Sequence, residues 1–426
     1  MVSANWKIKA QKLVLSGIVW IFLVCPLSLS AKEQEIILGA ATSLTYLEGR
    51  ESLNAAAMAV EEINARGGVT VGGKALRFRI ESADLRDAEP GDPVTLAVSR
   101  FESFIREKKI QAVIIGPYRS EVLLPCLDII AAHRIPLLGT IAMTPASEKK
   151  TLQDPKYRYA FRIGLNSSYL VEYLIRTMKF LNQGYGFRNL SVMIQDVAWT
   201  RTTASLVLRL YVDRSDWRML GMKTYPTGNA DFMDELVQAG KDKAQVILAL
   251  FDMPESALLV KQWHRMENKA LLFGFVSPML GADAWQSFEG KIAGAMNAEF
   301  ELGNIPSPKW EPSMRFHQAY KKKYGQDIQS GHGPAPSYES VYILADAIER
   351  AGSLDPDRIV SALEATDRIG AMGRMRFGRG HQIIFGCDPT QESLACIVQW
   401  QSNGSRRVIY PLEIADGEIE LPGAGR

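Results

Sequence analysis

Residues 54–68 read Asn-Ala-Ala-Ala-Met-Ala-Val-Glu-Glu-Ile-Asn-Ala-Arg-Gly-Gly. Ala55, Met58, Ala59 and Ile63 recur at helical spacing, Val60 widens the apolar stripe, and Glu61 and Glu62 fall on the face expected to meet water. Gly67 and Gly68 stand where the periodicity stops and supply left-handed or irregular backbone. Upstream, Ile36 to Ala40 is a short apolar run. Downstream, Leu76 to Ser82 alternates as Leu-Arg-Phe-Arg-Ile-Glu-Ser. Strand, helix and strand in that order form the building block of a parallel sheet.

Residues 1–30 carry Lys7, Lys9 and Lys12 and no acid, then the apolar run Leu13 to Val24, then Ser28-Leu-Ser30-Ala31. A charged start, an apolar middle and a small-residue end are the pattern of a secretory signal peptide cleaved near Ser30. The apolar run, about a dozen residues, is short for a membrane anchor, and Val24 before Cys25 does not suit a lipoprotein site. Cleavage removes three positive charges from a formal balance of +2, leaving −1. Such a balance points to no nucleic acid and to no anionic membrane surface. The length remaining suggests two domains.

Of the four cysteines, Cys25 leaves with the signal and Cys126 lies in the apolar helical run Val122 to Ala132, where a buried inert thiol is expected. Cys387 and Cys396 enclose a turn-rich loop, so export favours a disulfide between them. A metal there would need further His or Cys ligands at suitable spacing, and none is near.

The alternation continues along the chain. Helix is expected over 101–109, 120–133, 169–181, 202–212, 232–239, 254–266, 310–324 and 337–351. Strand is expected over 111–116, 136–140, 190–195, 245–251 and 270–275, with β-like segments near 376, 397–400 and 407–410. Strands separated by helices imply doubly wound parallel sheets with ligands at the carboxyl ends of the strands.

Several fragments fall in one order: Ile37-Leu-Gly, Ala59-Val-Glu-Glu-Ile-Asn-Ala-Arg-Gly-Gly-Val, Ala112-Val-Ile-Ile-Gly-Pro, Ile135-Pro-Leu-Leu, Tyr159-Ala-Phe-Arg, the run Ser337 to Gly352, and Val398-Gln-Trp. Together they resemble the leucine/isoleucine/valine-binding protein family, the type I periplasmic solute receptors of ABC importers. The resemblance covers nearly all of the chain after the signal. It implies two α/β lobes joined by a three-strand hinge, with crossovers near Ala160, Asn297 and Gly373. Lobe one is then 36–159 plus 298–372, and lobe two 160–297 plus 373–426. A small-molecule ligand is held between them by hinge closure and passed to the transmembrane subunits of a permease.

The resemblance also implies site residues. The loop Pro117 to Glu121 corresponds to one that presents hydroxyls and helix N-terminal N–H groups to a ligand carboxylate. Ser120 reads equally as an N-cap and as an anion ligand, Arg119 as a carboxylate clamp or a solvated side chain, and Tyr118 precedes them in the same loop. The second such segment corresponds to Thr140, Ile141, Ala142, Met143 and Thr144, with the side-chain hydroxyl displaced to Thr140 or Thr144. In lobe two Trp199, with Thr200 beside it, corresponds to the loop that lends an aromatic wall, and Tyr46 does the same from the first loop. Amino-acid receptors of this family place a carboxylate near Phe275 to Pro278 to pair the ligand's ammonium. Here that stretch, with Val276 at its centre, has none. A buried ammonium without a partner is costly, so the reading leans to a small organic acid or amide with an apolar body. Asp196, Asp252 or Asp283 keeps an amino acid open.

The five histidines are scattered without zinc-ligand spacing, and the chain carries no Gly-x-Ser-x-Gly, phosphate loop or dinucleotide fingerprint. No enzyme, cofactor or metal is therefore expected. The expectation is a monomeric periplasmic solute receptor feeding an ABC permease. The alternative is a ligand-sensing module for a membrane signalling partner.

Overall fold

The computed structural model describes Met1 and residues 35–89, 91–267 and 269–421. The expected signal peptide lies outside the described residues. Residues 34–426 form one compact unit, built on two large sheets. In the first run β1 (Glu35–Thr42), β2 (Val69–Val71), β3 (Lys74–Asp84), β4 (Ala112–Ile115), β5 (Leu137–Gly139) and β6 (Ala160–Arg162), in the spatial order β2-β3-β1-β4-β5-β6. The second holds β7 (Asn189–Gln195), β8 (Arg218–Tyr225), β9 (Val246–Phe251), β10 (Leu271–Val276) and β11 (Met296–Glu299). A two-stranded ribbon of β12 (Arg368–Gly370) and β13 (Gly373–Met375) follows. β14 (Cys396–Trp400) and β15 (Arg406–Tyr410) then complete the second sheet in the order β15-β14-β11-β10-β9-β7-β8. Pairing is parallel except at β2, β14 and β15 and within the ribbon. This is the doubly wound α/β architecture in two lobes.

The helices of the first half are α1 (Leu47–Ala65), α2 (Val94–Lys108), α3 (Ser120–His133), α4 (Ala146–Gln153), α5 (Ser167–Tyr185) and α6 (Ala198–Leu210). Those of the second are α7 (Met233–Lys241), α8 (Ala257–His264), α9 (Ala284–Ser287), α10 (Glu311–Tyr324), α11 (Pro334–Ala351) and α12 (Pro356–Glu364). α1 buries Ala55, Met58, Ala59, Val60 and Ile63, the stripe its spacing predicts. Glu62 is an exception to the expected wet face. It is half-buried and accepts hydrogen bonds from the hydroxyls of Tyr338 and Tyr342 on α11, each at 2.6 Å. The stop is a tight turn in which the Gly68 N–H donates to the Ile63 carbonyl at 3.0 Å. Gly67 and Gly68 both have positive φ, and a Cβ on Gly68 would lie 2.1 Å from the Leu76 carbonyl oxygen, whereas one on Gly67 would meet nothing.

The chain passes between the sheets after β6, after β11 and between β13 and β14. Strand pairing places the residues around the expected crossovers in one sheet or the other. Ala160–Arg162 belongs to the first sheet, β11 keeps Ala298 and Glu299 in the second, and Gln382 bridges Arg162 while His381 stacks on Phe161 with ring centroids 4.0 Å apart. The edge of β6 thus finds its partner at Gln382. β8, absent from the sequence reading, is an edge strand with mostly exposed side chains, so it lacks apolar alternation.

The expected disulfide is not formed: Cys387 and Cys396 are free thiols. Cys396 points into a cluster with Leu302, Leu394, Val398 and Val408, while its neighbour Ile397 faces the main core with Tyr410. Cys387 lies on that other side, its sulfur 3.4 Å from the Tyr410 hydroxyl and accepting from the Arg176 guanidinium at 3.2 Å. Alternation along β14 therefore puts the two sulfurs on opposite faces. Burial pushes the Cys126 thiol far up, as expected of an inert core cysteine.

Two measurements check these points. Gly67→Ala should cost about 1–3 kcal/mol of stability from strain alone, and Gly68→Ala clearly more because a carbonyl occupies the space, both by urea unfolding. Thiol titration of native, unreduced protein should label Cys387, and denaturation should release Cys126 and Cys396 without added reductant.

Candidate ligand-binding site

The carboxyl ends of β4, β5, β7, β9 and β10 carry the residues singled out from sequence. On lobe one, Tyr46 occupies the N-cap position of α1 and its ring lies 5.5 Å from that of Tyr118. The Tyr46 hydroxyl donates to the Ala88 carbonyl at 3.0 Å. The Arg119 guanidinium lies over Tyr118, 5.4 Å from the ring centre. The Arg119 backbone N–H donates to Asp87 at 2.8 Å, and Asp87 also accepts from the Ser43 hydroxyl at 2.8 Å. This buried carboxylate fixes the loop between β4 and α3. Ser120 is the first residue of α3, and the N–H groups of Ser120 and Glu121 meet no protein acceptor among the described residues. They form a donor pair at the positive end of a helix.

On lobe two, Trp199 opens α6 half-buried, and its indole Nε1 donates to Asp252 at 2.7 Å. Its ring meets Phe275 edge-on at 5.7 Å, and Phe275 stacks on Phe300 at 4.6 Å. Phe300 touches His332 at 5.1 Å. An aromatic row thus runs from lobe two through the second crossover to lobe one. Tyr118 is raised by burial, then by Glu48 and also by Asp252. Tyr46 is raised by burial, then by Glu89, and it too feels Asp252. The carboxylate of lobe two therefore acts across on both phenols of lobe one.

Beside this aromatic row the crossovers bury charge. Glu301 accepts from the N–H of Leu165 at 3.0 Å, from the Asn304 side chain at 3.0 Å and from the Gly333 N–H at 3.3 Å, and pairs with His332 at 2.9 Å. Glu299 is met by Arg406 at 2.8 Å, and burial pushes its carboxyl up to about 7 against the pull of that arginine.

Several expected side chains turn elsewhere. Val276 is fully buried in the core on the far side of the second sheet, with both backbone groups bonded to Asn297. Successive strand residues face opposite sides, so Phe275 takes the place expected of Val276. The Thr200 hydroxyl is buried and donates to the carbonyls of Gln195 and Val197. The Thr140 hydroxyl accepts from Ser337 at 3.0 Å, and that of Thr144 accepts from the Ala146 N–H at 3.2 Å to cap α4. Ile141 and Ala142 are buried at the end of β5, with the Ile141 carbonyl 2.6 Å from His332. Of the alternative acids, exposed Asp196 is paired with Arg201 and Asp283 is exposed, so only Asp252 is held against the aromatic row. Glu48, Phe275, Phe300, Glu301 and His332 were not foreseen. The glycines flanking His332 in Ser-Gly-His-Gly-Pro were a usable sign of a constrained turn. Among the described residues no group of His, Cys, Asp or Glu is gathered as a metal site, and no helix is long and apolar enough to cross a membrane.

The chain belongs to the periplasmic binding protein family, whose model matches residues 37–405. Among its relatives is Leu/Ile/Val-binding protein homolog 7 of Brucella melitensis, 23% identical over 88% of this chain and 90% of that protein. Homolog 8 of Brucella abortus is 22% identical over 88% and 89%. In structure it is similar to the branched-chain amino acid transporter substrate-binding protein LivJ of Streptococcus pneumoniae, solved with isoleucine. The TM-score is 0.70 at 18% identity, covering 88% of this chain and 99% of that one. The leucine-binding protein LivK of Thermotoga maritima gives 0.66 at 18%, covering 88% and 97%. The leucine/isoleucine/valine-binding resemblance read from the sequence stands.

The Trp199–Asp252 bond gives a direct check on the site. Trp199→Phe keeps the wall but frees the carboxylate, and should weaken ligand binding about five- to tenfold by calorimetry while leaving the melting temperature of the ligand-free protein nearly unchanged.

Proposed function

We propose that this protein is an extracytoplasmic solute receptor that captures a small organic ligand between its two lobes and delivers it to the membrane subunits of an ABC permease. The carrying observation is an aromatic wall on each sheet, Tyr46–Tyr118 on the first and Trp199–Phe275 on the second, linked by the reach of Asp252 to both phenols, with the open helix donors of Ser120 and Glu121 at the first wall. Such a site recognises an apolar body by its faces and an anionic or carbonyl end by N–H groups. No step in it needs a nucleophile or an acid–base pair, and capture with hinge closure suffices. The periplasm is the compartment that fits the family and the expected signal peptide.

The sequence alone leaned away from α-amino acids because the stretch Phe275 to Pro278 lacks an acid. Asp252, one strand over and held by Trp199, supplies a carboxylate facing the lobe-one tyrosines. That observation supports an amino-acid-like ligand, in keeping with the names of the relatives, alongside simple carboxylates and amides.

A thermal-shift screen with amino acids, aliphatic and aromatic carboxylates and small amides tests the proposal. A ligand at a hundredfold excess over its dissociation constant stabilises by about 2.7 kcal/mol, a rise of several degrees. Ser120→Pro, which removes one of the two open N–H groups at a helix position that suits proline, and Trp199→Ala should each shrink the shift. Asp252→Asn should abolish it for amino acids and spare carboxylates. No shift with any of the three classes, or full affinity in both Ser120→Pro and Trp199→Ala, would overturn the site.

A further inference from the structure

We infer that His332, held as an imidazolium by Glu301, is the positioning residue of the anion-binding segment Thr140–Thr144 and aims the N–H of Ala142 into the cleft. This rests on the cleft being the receptor site proposed above. His332 is buried just before α11. Its Nε2 lies 2.6 Å from the Ile141 carbonyl oxygen, and its Nδ1 lies 2.9 and 3.1 Å from the two oxygens of Glu301. A carbonyl has no proton to give, so Nε2 carries one. Glu301 is met on its other sides by three further donors, Leu165 N–H, Gly333 N–H and Asn304, which is the surrounding of an ionised carboxylate, so Nδ1 carries a proton as well.

The consequence for the site follows from the planarity of the peptide bond. The bond between Ile141 and Ala142 is trans, so its N–H points opposite to its carbonyl. With the Ile141 carbonyl fixed on the imidazole behind the loop, the Ala142 N–H faces away from it, at the carboxyl end of β5. Ala142 is buried, yet among the described residues its N–H has no acceptor. A buried donor left open in this way is a place for a ligand oxygen. The side-chain hydroxyls on either side, Thr140 and Thr144, are engaged elsewhere. The anion segment thus works through a backbone group, and His332 decides where that group points.

The charged groups facing the ring are Glu301 from the second crossover and Glu48 from α1, with Glu299 and its partner Arg406 beyond Glu301. Burial pushes the imidazole down, but Glu301 and the Ile141 carbonyl outweigh it and leave it above its ordinary value. A group whose value is raised on folding holds its charge to higher pH than a free imidazole and loses it as pH rises through the folded value. Ligand affinity should therefore hold below that folded value and fall on its alkaline side.

Nitrogen-15 spectra of ligand-free wild-type protein, followed with rising pH, should show both ring nitrogens of His332 still protonated where a free imidazole has become neutral. A neutral ring would overturn the inference. His332→Gln, which retains one donor and loses the charge, should displace the Ala142 amide resonance. It should also weaken binding of 4-methylpentanoate and of leucine about tenfold and abolish the alkaline fall. His332→Phe should lose more, while His264→Gln should change nothing. Folded His332 variants with unaltered affinity, pH profile and Ala142 resonance would sink the idea. If wild-type protein binds neither probe, the receptor reading fails for both, while the ring protonation and the Ala142 resonance still decide for or against His332.

Discussion

One buried carboxylate ties the parts of this protein together where the chain passes between its sheets. A crossover exposes backbone groups that neither sheet can pair, and burying them unpaired is expensive. Glu301 meets that demand by accepting from Leu165 in the first crossover, from Asn304 in its own, and from Gly333 at the start of α11. The proton-rich imidazole of His332 then balances its charge at 2.9 Å. Removing one partner of such a pair leaves an uncompensated buried charge, which is why these groups stand or fall together. Gly333 has φ of 102°, and a Cβ there would lie 2.4 Å from the Ser52 hydroxyl, so the turn that carries His332 accepts little else.

From this anchor the binding surfaces follow. The ring of Phe300 rests on His332, Phe275 rests on Phe300, and Trp199 rests on Phe275. A wall of lobe two is thereby built against the crossover rather than floating on a loop. Trp199 in turn fixes Asp252, and Asp252 is felt by the tyrosines of lobe one. Aromatic side chains suit this duty, since they cover much area with few rotatable bonds and carry polar tips that can be tethered. On the other lobe, Asp87 performs the matching service by fixing the Arg119 backbone and, through Ser43, the Ala88 N–H.

The chemistry of the site is accordingly mixed. The site proposed above offers helix and loop N–H groups to an anionic or carbonyl oxygen, aromatic faces to an apolar body, and Asp252 to a positive end. In that proposal the acid missing at Phe275 to Pro278 has changed its address, from one strand end to its neighbour. Adjacent parallel strands, β9 and β10, end side by side, so a carboxylate can move between them without leaving the cleft.

The local sequence determined a great deal here. The stripe Ala55, Met58, Ala59, Ile63 and the Gly67-Gly68 stop fixed a helix, and the apolar runs 111–116, 245–251 and 270–275 fixed central strands, because periodicity and turn chemistry are properties of neighbours along the chain. The scaffold, and hence the family, was legible for that reason, and so were Tyr46, Tyr118, Ser120 and Trp199 as candidates at strand ends. Partners distant in sequence were not legible. Val276 against Phe275 was a question of which side of a strand faces the cleft, Cys387 against Cys396 of which face of β14 each sulfur takes, and Glu62 of two tyrosines some 280 positions away. Glu301, His332 and Ile141 are brought together across 31 and 191 positions. Only the tertiary structure decided these, since hydrogen bonds and burial depend on distance in space and a sequence records distance along the chain.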